Sequence, residues 1–87
     1  MRMRVITGSA TDFPFSLVQL RTVRVGGTAN LVGAVQIKRG TTVIETIPAA
    51  ATPGTERDWD DLQFDNDTGQ LQINLANAGD TVLVFFT

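Results

Sequence analysis

Apolar and polar residues alternate along most of this chain, which is the pattern of β-strands that bury one face. The clearest case is Leu71–Leu75, LQINL, in which every second residue is apolar. Such runs recur about every 8–12 residues and are separated by segments of turn-forming residues, namely GSATDFP, GGTAN, NDTG and NAGD. The pattern predicts an all-β fold: a single small antiparallel β-sandwich or jelly-roll-like barrel of about seven strands, formed by residues 1–87.

Two segments do not show the regular alternation of a single strand. Phe15–Val25 fits either a helix capped by Ser16 or a strand, and the β-branched residues in its second half favour the strand. Its apolar phase shifts by one residue across Arg21, which predicts a β-bulge there. Pro48–Asp58 contains two prolines and three alanines, so it is predicted to be a long loop. A tight hairpin is expected at Arg39–Gly40, because glycine accepts the positive φ of such turns.

The last predicted strand, Thr81–Thr87, is apolar on both faces. A half-solvated strand has one polar face, so both faces of this strand need a cover. The sandwich core would cover one face, and either the chain's own loops or a neighbouring chain would cover the other. If a neighbouring chain does so, Phe85 and Phe86 belong to a partner interface.

The amino-acid composition excludes most of the common catalytic mechanisms. The chain has no histidine, cysteine or tyrosine, which excludes the common nucleophile–imidazole pairs, disulfides and structural zinc. Neither Ser9 nor Ser16 lies in a nucleophile motif. We therefore predict a protein that is not an enzyme, with no catalytic residues, no cofactors and no metal. A chain of 87 residues without such cross-links has a small stability margin, which favours association into oligomers.

The acidic segment DWDDLQFDNDTG is the one place where a cation site needs consideration. Asp65 and Asp67 stand at alternate positions, as calcium ligands do, but Gly69 and Ala76 occupy positions where the helix-loop-helix calcium site requires ligands. A hairpin turn explains the segment without an ion, because aspartate and asparagine bond to the backbone of tight turns.

Charge is divided unequally along the chain. Residues 1–44 carry six basic residues and one acid, a net +5, whereas residues 45–87 carry one arginine and eight acids, a net −7. These charges either mix on the folded surface or form complementary patches that orient a second copy or a larger partner. The acidic half argues against nucleic acid as a partner. The longest apolar run, Val82–Phe86, is far shorter than the roughly 20 residues of a membrane span, and no secretory signal is visible, so no membrane partner is expected.

Three further residues are candidates for a partner interface. Trp59, the only tryptophan, is flanked by acids and either caps the core or serves as an exposed anchor. Arg2 and Arg4 alternate with methionines, so an extended chain places both guanidinium groups on one face. Residues 1–4 then form either an ordinary first strand or an N-terminal arm that adds to a neighbour's sheet. The candidate interface residues are Arg2, Arg4, Trp59, Phe85 and Phe86.

Three motifs between Val23 and Thr87 carry a resemblance to a known class of protein: the glycine hairpin in VQIKRGTTVIET, the proline-rich segment PAAATPG and the closing strand GDTVLVFFT. In this region the chain resembles the small β-sandwich decoration, or cement, proteins on the heads of tailed bacteriophages, and more loosely phage adhesion modules. The resemblance implies a non-enzymatic viral structural protein, made in the host cytoplasm, that binds the major capsid protein on the virion surface. It also implies a homotrimer, with a dimer as the next expectation. A carbohydrate- or receptor-binding module is the alternative that the adhesion modules suggest.

Overall fold

The computed structural model describes residues 1–8, 10–12 and 17–87, and these residues form eight β-strands. The strands are β1 (Arg2–Thr7), β2 (Ala10–Asp12), β3 (Leu17–Val25), β4 (Val35–Arg39), β5 (Thr42–Ile47), β6 (Glu56–Asp65), β7 (Leu71–Leu75) and β8 (Thr81–Phe86). The predicted all-β class is confirmed, with one strand more than expected. The additional strand is β2, which lies in a segment predicted to be a loop. Among the described residues there is no helix that could span a membrane.

The strands form two antiparallel sheets that pack face to face. Sheet A has the order β1-β8-β3-β6 and sheet B has the order β2-β7-β4-β5. The first strand therefore pairs with the last, the second with the seventh, the third with the sixth and the fourth with the fifth. The chain is one long hairpin folded over on itself, which is the topology of an eight-stranded jelly roll.

The core lies between the two sheets and is formed by alternate residues of each strand. Leu71, Ile73 and Leu75 of β7 are buried, as the alternation predicts, and so are the even-numbered residues of β8. Each such side chain contributes about 1.5–3 kcal/mol when it is fully buried. Because a slip of one residue would turn all of these side chains toward water, their burial also sets the register of the strands.

The predicted bulge is present in β3. The register of β3 against both β6 and β8 shifts between Leu20 and Thr22, so Arg21 is the extra residue relative to β8. Opposite Arg21, three residues of β6, Trp59–Asp61, lie between the two residues that pair with Leu20 and Thr22. The strand interpretation holds for Leu17–Val25. Phe15 and the two candidate serines, Ser9 and Ser16, lie outside the described residues.

The two connections predicted to be irregular have clear structural roles. Gly40 has φ +59° in the tight β4–β5 hairpin, as expected. The proline-rich loop ends at Thr55, because β6 begins at Glu56 and not after Asp58. Backbone hydrogen bonds attach this loop to the start of the β3–β4 connection: the Leu31 amide donates to Ala51 at 2.9 Å, and the Gly54 amide donates to the carbonyl of Val25 at 2.8 Å.

Candidate binding surfaces

The outer surface of sheet A carries an apolar stripe along β1 and β8, which we call the β1–β8 face: Met3, Val5, Leu83 and Phe85. Met3 lies opposite Phe85 and Val5 opposite Leu83 in the paired strands, so all four side chains point away from the core. Met3 is 52% exposed and Val5 is 53% exposed, and the preceding Met1 is 75% exposed. Leu83 and Phe85 are half-buried. The final strand is therefore covered by the core on one face and only partly covered on the other.

The same outer surface becomes charged toward β3 and β6. The guanidinium of Arg24 lies 5.1 Å from the ring centre of Phe85, and its Nε is 2.7 Å from a carboxylate oxygen of Glu56. Beside this pair, the Thr22 hydroxyl donates to Asp58 at 2.7 Å. Sheet A thus presents an apolar half and a charged half to the same side.

The N-terminal residues form an edge strand of sheet A. Arg2 and Arg4 lie in β1 and pair with β8 of the same chain. They share the inward face of β1 with the buried Ile6, but both are exposed because they lie at the margin of the sandwich. The Arg2 guanidinium is 4.9 Å from the ring centre of Phe86. Charged residues on the inward face of an edge strand oppose the addition of a further strand.

The five candidate interface residues do not form one cluster. Arg2, Arg4, Phe85 and Phe86 occupy the neighbouring strands β1 and β8, but Phe85 points outward and Phe86 is a core residue that is only 3% exposed. Trp59 lies in β6, at the opposite edge of the sheet. It is half-buried and packs against the core.

A carboxylate clamp that the sequence analysis missed connects two loops at one end of the sandwich. Asp80 is 7% exposed, and its carboxylate accepts hydrogen bonds from the backbone amides of Val32, at 3.0 and 3.1 Å, and of Gly33, at 3.0 Å. The side-chain amide of Asn77 also donates to it at 3.3 Å. These bonds, the Val32 amide first, lower the pKa of Asp80 below its ordinary value. The available sequence signal was an acid directly before a closing apolar strand.

The loops joined by this clamp enclose an open cavity of about 320 Å³. It lies between the β3–β4 loop and the β7–β8 turn, and its lining is mostly glycine, asparagine, threonine and alanine. Both carboxylate oxygens of Asp80 are already bonded within the chain. The clamp therefore fixes loop structure, and the Asp80 carboxylate is held by amides of its own chain.

The acidic turn between β6 and β7 is organised in a similar way. Oδ1 of Asp65 accepts hydrogen bonds from the amides of Asp67, at 3.0 Å, and Thr68, at 2.7 Å, and from the Thr68 hydroxyl at 2.8 Å. The bond from the Thr68 amide is the main cause of the lowered pKa of Asp65. These bonds fit the hairpin-turn interpretation of the segment. In the part of the chain that the structure describes, no three acidic side chains converge on a possible metal position.

Along β4 and β7, the outer surface of sheet B is polar. Gln36 and Lys38 of β4 lie beside Asn74 and Gln72 of β7 in register, while the intervening residues point into the core. The two sheets thus differ: the outer surface of sheet A has an apolar half, and that of sheet B has rows of amide side chains.

Comparison with known proteins finds no matching family model, no similar curated protein and no similar solved structure. Function must therefore be inferred from the surfaces of the chain and from its sequence motifs.

Proposed function

We propose that this chain is a non-enzymatic structural protein that forms an oligomer and binds to the surface of a phage capsid as a decoration protein. The observation that carries the proposal is the β1–β8 face, where Met3 and Val5 remain about half exposed beside Leu83 and Phe85. A contiguous apolar patch on a small soluble domain typically marks a contact with another macromolecule. The motif resemblance supplies the kind of partner, the major capsid protein.

The shape of this surface favours a large partner over a small ligand. The β1–β8 face is one side of a β-sheet, whereas small-molecule sites are concave and enclose most of their ligand. Arg24 adds a cation at the border of the apolar patch, where it lies over Phe85. An apolar centre with a charged border is the usual arrangement of a protein–protein interface.

The alternative function, carbohydrate binding, has one observation in its favour. Gln36, Gln72 and Asn74 provide hydrogen-bond donors and acceptors in neighbouring positions on the outer surface of sheet B. Sugar-binding surfaces commonly add an aromatic ring on which the sugar stacks. Trp59 lies in the other sheet, so it cannot serve these amides in that way.

The proposal is tested by sedimenting the purified chain with capsids assembled from the major capsid protein of the same phage. We expect saturable binding with a fixed number of copies per capsid. A glycan array, probed with the same preparation, tests the alternative. Binding to glycans together with no sedimentation on either immature or expanded capsids would overturn the proposed function.

A further inference from the structure

Sheet A has two edges of opposite charge. In the order β1-β8-β3-β6, β1 has only β8 as a neighbour and β6 has only β3. Strand β1 carries Arg2 and Arg4 and no acid. Strand β6 carries five acids and one arginine, a net −4. The two edges are separated by three strand spacings, roughly 14 Å, so both can be occupied at the same time.

Opposite charge at opposite edges determines which contacts between copies are favourable. If two copies met through the same edge, arginines would face arginines or acids would face acids, and such like-charge contacts are costly. A contact between β1 of one copy and β6 of the next brings opposite charges together. Because each copy then offers one edge of each kind, the contact repeats from copy to copy.

The contact must be formed by side chains and not by continuous strand pairing. On β6 the bulge at Trp59–Asp61 interrupts the regular backbone pattern that a new strand would need. On β1 the inward-pointing arginines oppose an added strand in the same way. Arginine is well suited to the side-chain contact, because its planar group binds carboxylates through two hydrogen bonds and also stacks on aromatic rings such as that of Trp59.

We infer that copies of this chain assemble head to tail, with the β1 edge of one copy against the β6 edge of the next; the resemblance implies that the series closes into a ring. The edges hold the copies together, and the β1–β8 face is left to contact the capsid. This inference rests on the proposed function as an oligomeric decoration protein, but it concerns different residues. Three copies per ring is the number that the resemblance implies.

Charge reversal at one edge, followed by reversal at both, tests the direction of the contact. Arg4→Glu and Asp60→Lys should each raise the dissociation constant of the oligomer by about tenfold or more, because each places like charges at the contact. The variant with both substitutions restores opposite signs, so its dissociation constant should return to within about threefold of that of the unmodified chain. The dissociation constant is obtained from the mass of the oligomer, which is measured by light scattering and sedimentation over a dilution series at low salt.

Two control substitutions make the same charge changes away from the edges of sheet A. Lys38→Glu lies in β4 of sheet B, and Asp67→Lys lies in the exposed turn after β6. Both should assemble as the unmodified chain does. Trp59 gives a second readout, because it is the only tryptophan and lies in β6, so its emission should change with dilution in step with the mass.

Chemical cross-linking tests the same contact without any change of charge. The chain has no cysteine, so Thr7→Cys on β1 and Thr55→Cys directly before β6, which lie toward the same end of sheet A, each introduce a single thiol. With a short bismaleimide, a mixture of the two variants should give covalent dimers, and each variant alone should give none.

Three results would overturn the inference: a doubly reversed variant that assembles more weakly than either single variant, cross-linking of a single-thiol variant to itself, or an unmodified chain that stays monomeric at high micromolar concentration. Capsid sedimentation of the same proteins is scored separately. A monomer that still binds capsids would refute the ring and leave the proposed function standing.

Discussion

Replacing Met3 by glutamine and Val5 by threonine should weaken capsid binding without unfolding the chain. Full burial of such a side chain contributes about 1.5–3 kcal/mol. Met3 is 52% exposed and Val5 is 53% exposed, so covering what remains of both contributes roughly 1.5–3 kcal/mol in total. Loss of that contribution raises the dissociation constant by about 10- to 150-fold.

Folding should change much less than binding. Glutamine keeps the length of methionine and threonine keeps the branching of valine, so the half of each side chain that already packs on the sheet stays covered. We expect the midpoint of thermal unfolding to fall by no more than about 4–8 °C, the effect of roughly 1 kcal/mol in a domain of this size.

The assay compares capsid sedimentation with thermal unfolding for three proteins. Val43→Thr is the matched control, because Val43 is 43% exposed but lies in β5 of sheet B, away from the β1–β8 face. It should bind as the unmodified chain does. The reasoning is refuted if Val43→Thr weakens binding as much as the double variant does, or if the double variant binds normally.

Three further predictions concern the fold that holds these surfaces. Asp80 has a lowered pKa, so its carboxylate stabilises the fold fully at pH values above the ordinary pKa of 3.8. This stabilisation is lost as pH falls through the lower folded-state pKa. Acid titrations monitored by circular dichroism should therefore show a smaller acid-induced loss of stability in Asp80→Asn than in the unmodified chain. In Gly33→Ala the new Cβ would lie 2.9 Å from a side-chain carbon of the β7–β8 turn, so urea unfolding should show a loss of about 1–3 kcal/mol, whereas Gly79→Ala, with no contact that close, should not. Arg39 stacks 4.9 Å from the ring centre of Phe64, and Arg39→Met should lower the free energy of unfolding by about 1–2 kcal/mol, with Arg39→Lys recovering only part of it.

Strand positions could be predicted from the sequence wherever burial has a period of two. In β7 and β8 one set of alternate residues enters the core, and the phase shift across Arg21 marks the bulge because each side of it must still bury its own apolar residues. Strand β2 could not be found in this way, since it is only three residues long and its sequence, ATD, has no apolar alternation. The sequence pattern predicts a start of β6 that is too late, because ERD is polar and resembles a loop.

The surfaces were harder to predict, because they depend on which strands become neighbours. Phe85 and Phe86 look equivalent in the sequence, yet adjacent residues of a strand point to opposite faces, so one belongs to the outer surface and the other to the core. The role of Asp80 depends on amides that are 47 and 48 residues away along the chain. No local pattern contains that information.

The strand order bears on both interpretations of the divided charge. Strand β3, from the basic half, lies next to β6, from the acidic half, and there the charges mix: Arg24 pairs with Glu56 across the two strands. Strand β1, also from the basic half, is instead separated from β6 by β8 and β3. Its arginines are too far away to reach the acids of their own β6. The acids on β6 of a neighbouring copy can lie next to these arginines. The separation of opposite charges at the two edges of sheet A therefore favours contact between copies.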